Sequence, residues 1–207
     1  MTTTAQTIAI GNVLRADIRG FVIASRIPEP DVPTFGTFVS APIQQGRAAV
    51  IGLVHNISLQ DDPFLRNLAV TVTPGDPRSE EIIKDQRENR VIPVEIEVAS
   101  VGYRLNGRSA YVYGFPPQPP MVLNSITVCD NDAIRKVTAS PDFLRTLLDN
   151  LDVPTDELIP AALLRAAQLR PKAERRDFLL SAGRYLAHYL GHDPLRLERI
   201  LTRIDQD

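Results

Sequence analysis

The hydrophobic period of this chain changes once, near residue 139, and that change limits the fold more than any motif does. Before it, apolar residues come in short runs rich in β-branched and aromatic side chains, separated by Gly, Pro, Asn and Asp. After it, they recur every three to four residues. A period of two belongs to strands and a period of 3.6 to helices. The expected fold is therefore α+β, with an all-β region over residues 1–138 followed by a helical bundle of three to four helices over 139–207.

Within the first region the strand-like runs are Thr7–Leu14, Gly20–Ile27, Gly36–Ile43, Ala48–Leu59 and Val91–Leu105, then "SAYVYGF" and "MVLNSITVC". Val94, Ile96 and Val98 alternate with Glu95, Glu97 and Ala99, the pattern of a half-buried strand. "AAVIGLV" is continuously apolar, as expected of a strand covered on both sides, with Gly52 marking a bend or a close backbone approach. Many short strands without helices between them imply a barrel or a sandwich rather than a parallel sheet. Residues 61–90 break the pattern with turn chemistry and then "RSEEIIKDQRENR", read as a long excursion carrying a short helix with Ser79 as its N-cap. "GFPPQPP" (Gly114 to Pro120) is read as a rigid crossover between two strands, with a polyproline docking peptide as the alternative.

In the second region Ser140 precedes Pro141 as an N-cap, and Phe143, Leu144, Leu147, Leu148 and Leu151 form one apolar stripe. A second helix starts near Thr155 and must place Pro160 in its early turns or kink there. A third carries Phe178, Leu179, Ala182, Leu186 and Leu190 and stops at Gly191, expected to be a left-handed C-cap. A last one is capped by Asp193 with Pro194 behind it.

Several function classes drop out at this stage. The net charge is −2, so the chain has no global basic field for non-specific nucleic-acid binding. No run reaches the length of a membrane span, the N-terminus has no signal-peptide pattern, and Cys129 is the single cysteine; a cytoplasmic protein without membrane contact is the expectation. None of the three lysines follows a glycine, so no phosphate-binding loop is present. His188 and His192 have metal-ligand spacing, but Gly191 interrupts the helix between them and no further ligands cluster nearby. No nucleophile elbow or shared carboxylate pair is visible, so neither catalysis nor a cofactor or metal is expected.

Two groups of residues remain as candidates for binding. Arg104, Arg108, Tyr111 and Tyr113 could form a barrel face that stacks bases and pairs phosphates, against the plainer reading that the aromatics fill the core or cover the barrel mouth. Arg165, Arg170, Lys172, Arg175 and Arg176 form the densest positive stretch, a surface for an acidic partner or simply a solvated helix face.

The order of the strand motifs carries one resemblance. "AIGNVLRADIRGFVIASRI", "TFGTFVSAPI", "AVIGLVHNISLQDD" and "RVIPVEIEVASVGY", followed by "GFPPQPP", resemble the N-terminal barrel shared by HerA-type DNA-translocating ATPases and ATP synthase subunits, the HAS-barrel family, over about residues 8 to 130. In that family the domain is a small closed β-barrel that helps assemble a ring and dock a NurA-type nuclease, so the resemblance implies a small closed barrel here. The resemblance implies a non-catalytic interaction module that associates with itself or with a separately encoded ring ATPase or nuclease in DNA processing. Motor activity is not implied, because helices stand where the ATPase domain is expected. A module binding single-stranded nucleic acid is the alternative, with indirect nucleic-acid contact through a partner between the two.

Overall fold

A computed structural model of the protein describes residues 9–25, 33–59, 76–77, 79–80, 94–108 and 110–205. Seven strands are present among them: β1 (Ala9–Ala16), β2 (Gly20–Ser25), β3 (Phe38–Ile43), β4 (Ala48–Leu59), β5 (Val94–Leu105), β6 (Tyr111–Val112) and β7 (Ser125–Val128). All pairings are antiparallel, in the order β2-β1-β7-β3-β4-β5-β6. An additional β2–β5 pairing, from Gly20↔Ala99 to Ser25↔Val94, closes six strands into a barrel. β6 adds to the far half of β5 outside that ring.

The length of β4 and β5 makes closure possible. Each has 12 residues, and register shifts between Ile51 and Gly52 and between Val54 and Asn56 bend the pair. The bent β5 pairs β2 with its first half and β6 with its second. Gly52 is needed at the first bend, since a Cβ there would stand 2.3 Å from Val98 Cγ1 and 3.0 Å from the Ala99 carbonyl oxygen. The glycine expected to mark a close approach does so against a side chain of the neighbouring strand.

Alternation then sorts the wall into two faces. Val50, Val54, Val94, Ile96 and Val98 point into the barrel with Ile10, Val13, Phe21, Ile23 and Ile126. Ile51, Leu53, Ala99 and Val101 point outward, into a second core shared with the helices. The continuous apolar run of β4 is thus explained by cover on both sides.

Five helices follow: α1 (Asn131–Val137), α2 (Arg145–Leu148, entered through a 3-10 turn Pro141–Leu144), α3 (Thr155–Gln168), α4 (Lys172–Tyr189) and α5 (Pro194–Asp205). Phe143, Leu144, Leu147, Leu158, Ile159, Leu163, Leu186 and Ile200 are fully buried in the outer core, where Phe143 meets Phe38 of β3 at a ring separation of 6.2 Å. Ser140 and Asp193 cap as expected, accepting from the backbone N–H groups of Asp142 (3.3 Å) and Arg196 (3.1 Å).

Several local expectations need correction. Helix α1 occupies the end of the region read as strands; Asp130 caps it by accepting from Ala133 N at 2.7 Å, and Ile134 and Val137 are its buried residues. "MVLNSITVC" is a strand only over Ser125–Val128, because Met121 to Leu123 form a turn. Leu151 leaves its stripe and is 94% exposed, since α2 ends at Leu148. Gly191 does not have a positive φ; α4 closes through Leu190 at φ −96, ψ 20. The 61–90 excursion lies mostly outside the described residues. Within it, Ser79 sits inside a helical turn whose Glu80 N–H donates to the Asp76 carbonyl at 3.0 Å, so Asp76 precedes the turn where Ser79 was expected to.

Candidate interaction surfaces

Among the aromatic and basic residues of the barrel face, the structure brings two together. Arg104 and Tyr111 are direct cross-strand partners on β5 and β6, with the guanidinium carbon 5.9 Å from the ring centroid. Both line an open cleft of about 640 Å³ between the outer barrel wall and α1, together with Asp130, Asp132, Arg135 and Lys136. Tyr113 lies on the same side, and both tyrosines lean on the outer core. Burial raises both phenol pKa values. The Tyr113 carbonyl accepts from Arg145 Nη2 at 3.2 Å, tying the strand end to α2. Arg108 stands apart at the exposed tip of the β5–β6 turn. The aromatics fill neither the barrel interior nor an open stacking platform; they seal the seam between barrel and helices.

The positive stretch of the helices divides in the same way. Arg170 donates to the Ala166 carbonyl (2.7 Å), the Thr138 carbonyl (3.0 Å) and Thr138 Oγ1 (2.9 Å), and its guanidinium lies 3.8 Å from the Phe178 ring centroid. Arg175 donates to the Arg170 and Gln168 carbonyls at 3.1 and 3.0 Å. Helix ends leave carbonyls without intrahelical donors, and these two arginines supply them at the α3–α4 junction. Arg165 donates to Thr34 Oγ1 at 2.8 Å, fastening α3 to the segment before β3, and burial lowers its pKa. Lys172 and Arg176 are exposed. Three of the five residues are internal clamps, which leaves a much thinner charged face than the sequence suggests.

A surface feature that the sequence reading missed lies at one rim of the barrel. The β3–β4 turn (44–47), the start of the β5–β6 turn (106–108) and the end of the crossover (121–124) share that rim. Asn106 Nδ2 donates to the Gly46 carbonyl, Asn106 N to the Arg47 carbonyl at 2.8 Å, and Asn124 Nδ2 to the Pro42 carbonyl at 2.9 Å. Leu123 N donates to the Val13 carbonyl at 2.8 Å and Asn124 N to the Met121 carbonyl at 3.1 Å. The rim holds Gln44 (φ 52), Gln45 (φ 56) and Leu123 (φ 69), the three positive-φ residues other than glycine among the described residues. On it Met121, Val122 and Leu123 are 65%, 57% and 78% exposed. The prolines before them are part of the reason: Pro116 and Pro120 are buried and fix the path of the crossover.

The remaining titratable groups are dispersed. Cys129 donates its backbone N–H to the Phe38 carbonyl at 2.9 Å, and burial pushes its thiol up to about 12. His55 is half-buried at the second bend of β4, in a cleft of about 390 Å³ between the β1–β2 hairpin and the α2–α3 turn. Burial lowers its pKa, and the Glu97 carboxylate pulls the other way. His188 and His192 are exposed, and among the described residues no three His, Cys, Asp or Glu side chains gather as a metal would require. No helix among the described residues is long and apolar enough to cross a membrane. No protein-family model matches the chain, and no curated protein is similar to it.

Proposed function

We propose that this protein is a non-catalytic interaction module, a closed barrel that associates with a separately encoded HerA-like ATPase or nuclease in DNA processing. The observation that carries the reading is the run Met121, Val122 and Leu123, three large apolar side chains displayed together on a hydrogen-bonded rim. Single exposed apolar residues are ordinary on a surface, whereas a contiguous group held in place marks a contact site. Closure of the barrel adds to this: a ring of paired strands offers no long edge for strand addition, so a partner must dock on side chains and turns. The order of the strand motifs supports the choice of partner.

The nucleic-acid reading has less to stand on. Tyr111 is half-buried with Arg104 over its ring, which leaves no open face for a base to stack on, and Asp130 and Asp132 dilute the positive charge of Arg135 and Lys136 in the same cleft. Co-purification from native cells tests the module reading, with recovery of a ring ATPase or nuclease in defined stoichiometry expected. A chain that elutes alone at every concentration and captures neither partner when they are supplied pure would count against it. Retention of single-stranded DNA at low salt by the purified chain alone would favour the alternative.

A further inference from the structure

The rim has a second property beyond its apolar run. Residues 42–47, 105–108 and 121–125 contain Arg47 and Arg108 and not one Asp or Glu, and the β1–β2 turn at the same end of the barrel sets Asp17 between Arg15 and Arg19, in a chain whose net charge is −2. Arg47 and Arg108 are exposed. Polar Gln45, Arg47, Asn106 and Arg108 are thus set beside an apolar group, the arrangement of a contact surface with an apolar centre and a polar margin.

We infer that this rim docks into an apolar groove with an acidic lip on a separate protein, with Leu123 as the central knob. The inference rests on the module reading above and assigns its contact site. Two arguments favour that occupant. A two-fold contact between copies of this chain would bring Arg47 and Arg108 against their own kind, a like-charge juxtaposition. A nucleic-acid strand is disfavoured because the projecting side chains are aliphatic, with none of the ring faces on which bases stack.

The backbone at Leu123 supplies the sharpest test. A leucine at φ 69 occupies the left-handed region where glycine is at ease, so its side chain is kept there against the local preference of the backbone. Leu123→Gly should therefore leave the fold intact, with a melting temperature equal to or above that of the parent, while removing the knob. In native cells, Val122 and, separately, Arg176 on α4 are replaced by the photocrosslinker p-benzoylphenylalanine, and any adduct is identified by mass spectrometry. The expected result is a protein adduct from position 122, whose purified partner binds the Leu123→Gly chain at least tenfold more weakly than the parent. The Arg47→Glu, Arg108→Glu double variant should weaken binding further and flatten its salt dependence. An adduct between two copies, an adduct to nucleic acid, or undiminished binding by Leu123→Gly overturns the inference. A partner crosslinked only from position 176 overturns it while leaving the module reading intact. No adduct from either position overturns both.

Discussion

Two groups of apolar residues on the outside of this barrel are treated differently by the molecule. On the helix side Phe38, Ile51, Leu53, Ala99 and Val101 are at most 3% exposed, within the core that the barrel wall shares with the helices. At the rim Met121, Val122 and Leu123 are at least 57% exposed on a turn fixed by backbone hydrogen bonds. Burial of the first set stabilises the fold at roughly 25 cal/mol per Å² removed from water, and exposure of the second forgoes the same gain. Apolar surface left bare on a tethered turn is the part of the wall available to something outside the chain.

That contrast is open to direct attack, and the largest effect belongs to the covered side. Phe143 is fully buried against Phe38. Phe143→Ala is expected to cost about 3–5 kcal/mol in denaturant unfolding. Because the outer core takes residues from barrel and helices alike, loss of barrel and helix signals in one transition is expected. Two separate transitions would show that the helices are an appendage rather than part of the wall.

Gly52→Ala comes next. Its added methyl meets Val98 Cγ1 inside the barrel, and overpacking of this kind costs about 1–3 kcal/mol. The double variant with Val98→Ala should recover part of that loss, which a backbone-only explanation does not predict. Arg170→Ala should cost about 1–3 kcal/mol, since it orphans carbonyls of two helices and strips a cation from the Phe178 face, whereas Arg176→Ala should stay within about 0.5 kcal/mol. Equal losses for the two arginines would remove the distinction between clamp and free surface. At the rim the sign reverses: Leu123→Gly is expected to stabilise by up to about 1 kcal/mol, less glycine's own entropy cost.

How much of this could be read beforehand follows the range of the interactions. The bounds of β4, the need for Gly52 and the caps at Ser140 and Asp193 depend on neighbours in sequence or on one adjacent strand, and they were legible. Helix α1 was signalled by Asp130 and by the spacing of Ala133, Ile134 and Val137, but 7 residues give too few turns to stand out beside a strand. Arg165, Arg170 and Arg175 read as surface charge because their acceptors are backbone carbonyls, which no side-chain pattern reveals. Met121 to Leu123 read as the start of a strand because apolar runs look alike until the fold decides which are covered.

The smallest expected effect concerns the junction between the two regions. His55 shares its cleft with Arg15, Asp17, Arg19 and Glu97 from the barrel and with Asp152 from the α2–α3 turn. Burial holds its folded pKa below the ordinary value of 6.5, so between the folded and unfolded values the unfolded chain binds the proton more readily. Stability then rises with pH across that window. It is fully present above about pH 6.5 and is lost as pH falls toward the folded value. His55→Gln should flatten this part of the stability profile without changing the plateau at pH 7.5, as read from urea midpoints between pH 5 and 7.5. An unchanged slope in the variant would mean that Glu97 offsets the burial of the imidazole, and the junction would then be tighter in packing than in charge.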